Sequence, residues 1–341
     1  MSKLSSKIYS TLFIIFILIF LYFATLIHDF FRAPLISKGA IASIKVFPGQ
    51  RMSVTIQQLY NQGIIKHPVL FRWIANATGD RFQLRFGEYD IKYPITAWQL
   101  LQHMVKGTGL VKHRLTIVNG WTFNQILAVL SNDANLNHTV NNQSHQTILQ
   151  TLSAPQKHIE GLFYPDTYFF TWGNTDMSVL KTAYQKMQTI LQRDWNNRAL
   201  NLPYKNAYQA LIVASLIEKE TSVDSEKPII ASVILNRLEK PMRLQIDPTV
   251  QYGLDKTFGG TITKEDLATK TPYNTYLIDG LPPTPICMPS QSSIEAALHP
   301  AKTEYLYYVA TGTGGHHFSK TYAGHLKQVT EYHQVLETLH K

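Results

Sequence analysis

Two carboxylates close the most apolar internal stretch of the chain, Ala210-Leu211-Ile212-Val213-Ala214-Ser215-Leu216-Ile217-Glu218-Lys219-Glu220-Thr221. From Leu211 to Ile217 nothing is more polar than Ser215, and the run leads straight into Glu218. On a helical wheel of about 100° per residue, Ala207, Leu211, Ala214, Ser215 and Glu218 share one face. Ile212, Val213, Leu216 and Ile217 cover the opposite side, and a helix that is apolar all round is buried. Burial and the helix dipole at this C-terminal end both disfavour a charged Glu218. A carboxyl held protonated near neutral pH is what a general acid requires. The competing reading is a Glu at the first solvated turn, capped by Lys219. Glu220 lies about 200° further round and is expected to point elsewhere.

Other chemistries find less support. Gly312-x-Gly314-Gly315 lacks the Gly-Lys-Ser/Thr ending of a phosphate loop. Adjacent residues on an extended chain face opposite ways, so His316-His317 does not make a metal site, and no His-x-x-x-His pair supports it. There is no Gly-x-Ser-x-Gly elbow, and Cys287, the only cysteine, excludes an internal disulfide. A two-carboxylate glycosidase needs a partner for Glu218. Asp166 and Asp247 are conceivable, but both stand in Pro-rich turns where Asp is common. One buried acid without an evident partner fits a reaction in which the substrate supplies its own nucleophile.

The elements that must position these groups follow from the pattern. Ile8 to Ile27 is 20 residues without a charge, long enough as a helix to cross a bilayer. The following Leu26-Ile27-His28-Asp29-Phe30-Phe31 is a poor cleavage site, so an uncleaved anchor is expected. Lys3 and Lys7 before it favour a cytoplasmic N-terminus with the body of the protein outside. The net charge of +9 is spread along 341 residues with no basic run, which argues against a nucleic-acid partner. After a linker with Pro34 and Gly39, a strand at Ile44–Gly49, helices at Val54–Asn61 and from Pro68, and a strand at Leu84–Ile91 with a bulge at Gly87 are expected. Thr96 should cap a helix stopped by Gly107. A strand at Leu115–Gly120 and a helix capped by Thr122 repeat the pattern, and residues 132–156 read as a polar connection.

Beyond it lie an aromatic stretch, Ile159–Phe170, and a long helix at Met177–Trp195. The buried helix comes next, then a helix from Pro228, Pro- and Gly-rich ordered loops between Arg243 and Ile286, and a helix capped by Ser290. A strand at Tyr305–Ala310, a hairpin at 311–318 and a final helix at Tyr322–Leu339 end the chain. The fold class expected is α+β: a transmembrane helix, a small α+β module and a mixed α/β catalytic domain around the buried helix.

Several of these segments carry a resemblance. Ala214-Ser215-Leu216-Ile217-Glu218-Lys219-Glu220-Thr221, Ala231–Leu238, Arg243-Leu244-Gln245-Ile246-Asp247-Pro248-Thr249-Val250, Tyr273-Asn274-Thr275-Tyr276, Gly280-Leu281-Pro282-Pro283, His299-Pro300-Ala301, Gly314-Gly315-His316, and Glu160-Gly161 with Tyr164–Tyr168 stand in order. Together they resemble the MltG (YceG-like) endolytic murein transglycosylases. The chain departs from the family pattern at Asn119, where Glu is frequent, and at Thr284 and Ser290, where glycines are usual.

The resemblance implies that Glu218 matches the catalytic glutamate. It would protonate the MurNAc–GlcNAc glycosidic oxygen and then, as a carboxylate, take the proton of the C6 hydroxyl that closes on C1 as a 1,6-anhydro ring. Gln245, Asp247, Asn274 and Tyr276 are the candidates for shaping the glycan groove. No cofactor or metal is implied. The partners implied are peptidoglycan strands, the bacterial inner membrane through a single-pass anchor, and peptidoglycan synthases, with the catalytic domain in the periplasm. The organisation expected is a cytoplasmic N-terminus at 1–7, a membrane helix at 8–27, a linker at 28–42, LysM-like modules at 43–131, a connection at 132–156 and the catalytic domain at 157–341. A hydrolytic muramidase using the same acid, or a non-catalytic glycan-binding scaffold, are the alternatives.

Overall fold

The computed structural model of the protein describes residues 2–35 and 41–339, so Gly39 of the expected linker lies outside the described residues. The first element is the Ser2–Arg32 helix. Its Lys7–Arg32 portion is long and apolar enough to cross a membrane, with a mean hydropathy of 2.6. The chain then divides into two compact units, the first comprising Met1–His113, Asn135–Asn137 and Phe169–Asn174.

In the first unit the order is strand, helix, helix, strand: Ile41–Val46, Met52–Asn61, Pro68–Ala77 and Gly87–Lys92. The two strands pair antiparallel in register from Ile41 opposite Lys92 to Val46 opposite Gly87. Ile44, Ile56, Leu59, Phe71, Tyr89 and Leu101 fill the core between strands and helices. Gly87, where a bulge is expected, instead pairs in register with Val46; it has φ +136°, and a Cβ there would lie 2.5 Å from Leu110 Cδ2. Only glycine fits there. Thr96 and Gln99 form a reciprocal capping box at the start of the Ala97–Lys106 helix, and Gly107 ends it in the left-handed conformation. The membrane-length helix runs directly into this core: Phe30 is buried and packs edge-on against Phe71 with ring centroids 5.4 Å apart. Just beyond it, Leu35 N donates to Ile95 O at 2.7 Å.

The second unit comprises Arg114–Ala134, His138–Tyr168 and Thr175–Lys341. The Thr122-capped Phe123–Asn132 helix, expected with the first module, clusters with this unit. The reason is a packing contact: Phe123 stacks on Phe163 at 5.2 Å, and its backbone N–H donates to buried Glu160. The polar 132–156 segment also contains a helix that its composition conceals, His145–Thr151, capped by Ser144 with Ile148 and Leu149 buried. Asp176, only 1% exposed, begins the Asp176–Asn196 helix and accepts hydrogen bonds from the backbone N–H groups of Thr139, Val140 and Met177.

The apolar stretch forms the Ala207–Glu220 helix, N-capped by Asn206, with every residue from Ala210 to Ile217 buried. Part of what covers it is the Pro-rich loop. Ile286 N donates to Ser215 Oγ at 3.0 Å, and the Cys287 thiol to Ser215 O at 3.4 Å. Gly161 lies so close to this loop that a Cβ would stand 2.4 Å from Pro285 Cβ. Burial pushes the Cys287 thiol well above its ordinary range, so it is a core group. The helices Lys227–Glu239 and Gln291–Leu298 pack beside the buried helix. The Tyr307–Ala310 and His316–Ser319 strands pair antiparallel, and the Tyr322–Leu339 helix packs against them.

Candidate functional site

A cleft of about 730 Å³ opens in the second unit beside the C-terminal end of the buried helix. Its wall includes Glu220 and Lys219 from that helix, Arg237, Gln245 and Asp247 from the segments that follow, and Tyr276, Tyr308 and His316 from farther along the chain. The volume falls in the range of about 300–1,000 Å³ typical of ligand sites.

Glu218 is not part of this wall. It lies on the face of the helix that meets the start of the Gln291–Leu298 helix. Its Oε2 accepts hydrogen bonds from Ser290 N at 2.9 Å and from the hydroxyls of Ser290 and Ser293. The Lys227 ammonium stands 3.8 Å away and donates to Ser290 Oγ and Ser292 Oγ. Protein donors therefore surround Oε2 at the start of that helix. These contacts turn Glu218 Oε2 toward the Ser290 loop, whereas Glu220, two residues on, lines the cleft.

Glu220 has the properties expected of Glu218. Burial pushes its carboxyl up to about 7, with Asp247 adding to the rise and the Tyr308 hydroxyl and Arg237 opposing it. A carboxyl poised near 7 is matched to proton donation at neutral pH. Tyr308 donates a hydrogen bond to it, and burial raises the Tyr308 phenol well above its ordinary range, so this donor keeps its proton. Arg237 is fixed by donating through Nε to Leu306 O at 2.6 Å and through a terminal nitrogen to Leu244 O at 2.7 Å.

This arrangement yields a pH prediction. Tyr308→Phe removes a donor that favours the charged carboxylate, so the Glu220 carboxyl should rise further. The high-pH limb of activity is then expected to move up by about one pH unit, since a hydrogen bond to a charged group is worth about 1.5 kcal/mol. A pH–rate profile of the variant checks it, and a limb displaced downward would refute it.

Of the four groove candidates, three line the cleft. Gln245 does so with φ +53° and its Oε1 accepting from Arg237 at 3.4 Å. Asp247 accepts from the Tyr276 hydroxyl at 2.5 Å, which places both on one wall. Asn274 does not. It is fully buried, donates to Leu267 O and Thr269 O, and accepts from Tyr276 N, so it scaffolds the loop that carries Tyr276. Spacing alone does not single out Tyr308, Arg237 or His316 as site residues. Among the described residues, no group of three or more His, Cys, Asp or Glu side chains is placed to share a metal ion.

A family profile described as YceG-like matches residues 44–331. The chain belongs to the YceG-like family. It is 30% identical over 308 residues to the endolytic murein transglycosylase of Bacillus subtilis (strain 168), covering 85% of this chain and 84% of that protein. It is 26% identical to the endolytic murein transglycosylase of Streptococcus pneumoniae (strain D39), where the match spans 83% of this chain but only 56% of the longer relative. The crystal structure of a YceG-like protein from Listeria monocytogenes superposes with a TM-score of 0.55 at 28% identity, covering 84% of this chain and 98% of that one. This YceG-like chain thus has the mixed α+β fold of its family, with the cleft and Glu220 inside the matched region.

Proposed function

We propose that this protein is an endolytic peptidoglycan lytic transglycosylase. It cleaves the β-1,4 bond between MurNAc and GlcNAc of nascent strands, leaves 1,6-anhydro-MurNAc ends and so terminates elongation. The observation that carries this reading is the Glu220 carboxyl, raised to about 7 in the wall of a large polar cleft. The endolytic murein transglycosylases among its relatives supply the substrate class.

Glu220, in place of Glu218, protonates the glycosidic oxygen. The C6 hydroxyl of the same sugar attacks C1, and an intramolecular nucleophile has an effective concentration high enough that no second carboxylate need hold a water. Arg237, Gln245, Asp247 and Tyr276 contact the glycan. The strand-helix-helix-strand arrangement of the first unit supports a LysM-like role in holding the strand, and the apolar N-terminal helix supports a single-pass anchor in the inner membrane with the catalytic unit in the periplasm, beside the synthases whose product is cut.

Asp247, a second carboxylate in the same cleft, favours one other reading, a hydrolytic muramidase in which Asp247 holds a water. Mass spectrometry of glycan digested by the full-length protein separates the two. Anhydro ends are expected; reducing ends alone would replace the transglycosylase reading with the hydrolytic one.

A further inference from the structure

A pair of titratable side chains, Glu226 and His316, reaches the same cleft through the His316 ring. Glu226, at the start of the Lys227–Glu239 helix, accepts from His316 N through Oε1 at 2.7 Å and faces His316 Nδ1 through Oε2 at 2.8 Å. Thr221, next to Glu220, donates its hydroxyl to Glu226 Oε2 at 3.2 Å. The two paired side chains are only 14% and 15% exposed. Burial pushes the Glu226 carboxyl up, but the His316 ring and backbone donors outweigh it and leave the carboxyl below its ordinary range. The close approach needs glycine before the histidine: Gly315 has φ +85°, and a Cβ there would stand 2.6 Å from Glu226 Oε1.

A carboxylate at Nδ1 keeps the proton of the neutral ring on that nitrogen and leaves Nε2 with its lone pair. That ring forms part of the cleft wall together with Glu220. It stands edge-on to Tyr308, with ring centroids 5.5 Å apart, and Tyr308 is hydrogen-bonded to Glu220. A purely structural ion pair would account for the burial of Glu226. It gives no reason for the ring to border the cleft that holds the acid.

We propose that His316, oriented by Glu226, is the base that takes the proton of the substrate's own attacking hydroxyl, which leaves Glu220 to act as the acid alone. The assignment deepens the transglycosylase reading and rests on it. The C6 oxygen bonds to C1 as its proton passes to His316 Nε2. The bond from C1 to the leaving sugar's oxygen breaks, and that oxygen takes the proton of Glu220. The site is left with an imidazolium and a carboxylate, and return of the proton from His316 to Glu220 through water resets it with no co-reactant. Glu226 and Tyr308 face the ring directly, and Glu220, Asp247, Arg237, Lys219 and His325 line the same cleft.

The test uses full-length protein in detergent with uncrosslinked glycan strands, anhydro-ended product being counted across about pH 5 to 9. The wild type should show a bell-shaped kcat, with an acid limb from His316 and a basic limb from Glu220. His316→Gln should lower kcat by about 10²-fold with KM little changed, and lose the acid limb. Glu226→Gln keeps an acceptor for Nδ1–H but removes a neighbouring negative charge, so its acid limb should move to lower pH. The absence of an acid limb in the wild type, or one unchanged in Glu226→Gln, overturns the proposal, and the second variant decides even where His316→Gln fails to fold. A wild type that yields no anhydro ends instead defeats the transglycosylase reading on which the proposal rests.

Discussion

Glu220→Gln is expected to abolish glycan cleavage while making the folded protein more stable above neutral pH. Loss of the general acid should lower kcat by about 10³-fold, within the range for positioned proton donors. The stability effect follows from the raised carboxyl. In the unfolded chain this group titrates near its ordinary value of 4.5, and in the fold near 7. Between those values the native state binds more protons than the unfolded state, so the stability contributed by this site falls as pH rises through that window and stays low above it. Each tenfold difference in proton affinity between the two states is worth about 1.4 kcal/mol, so the neutral amide should add about 3 kcal/mol at pH 8 and little at about pH 4.5. Chemical unfolding at the two values measures the difference. Equal gains at both would show that the raised carboxyl is not the cause, and undiminished cleavage would remove Glu220 from the chemistry.

The opposite pattern is expected two residues earlier. Glu218→Ala removes the acceptor shared by Ser290 N, Ser290 Oγ and Ser293 Oγ and leaves Lys227, which is 5% exposed, with one carboxylate fewer. Asp224 still pairs with that ammonium at 2.9 Å, which limits the damage. Unsatisfied buried donors cost about 1–3 kcal/mol and a broken buried pair about 3–5. A loss of about 3 kcal/mol is therefore expected. Glu218→Gln, which keeps an acceptor oxygen, should lose less and retain most of its cleavage per folded molecule. If Glu218→Gln is as inactive as Glu220→Gln while equally well folded, the division of labour between the two carboxylates is wrong.

The contrast between these neighbours marks what the residues reveal in advance and what they do not. The apolar run defines the buried helix, its C-terminal end and the carboxylates there, because helical periodicity is a local property. The wheel also places Glu218 correctly on the stripe that includes Leu211 and Ser215. What the wheel leaves open is what faces each carboxylate. A stripe is buried because other protein segments cover it, and here the cover is the Ser290 loop and the Gln291–Leu298 helix. Glu220 points off the stripe, and its environment comes from Arg237, Asp247 and Tyr308, groups distant in sequence whose approach no local pattern encodes. Gln245, Asp247 and Tyr276 are legible as a polar loop cluster. Asn274, of the same character, turns inward to hold the loop, since an Asn that satisfies backbone carbonyls and one that meets a ligand look alike in a sequence. The His145–Thr151 helix is hidden because it buries only Ile148 and Leu149 among polar neighbours.

The way the membrane-length helix ends has a mechanical consequence. Phe30 is inserted in the core of the first unit and Leu35 is hydrogen-bonded to Ile95, so no slack chain separates the helix from the first folded unit. With that helix in a bilayer, the unit would behave as a bracket more than as a weight on a string. Its height above the lipid and its tilt would follow those of the helix, and the freedom left to it would be rotation about the helix axis and lateral diffusion. Anything bound to such a bracket would be held at a set distance from the lipid surface.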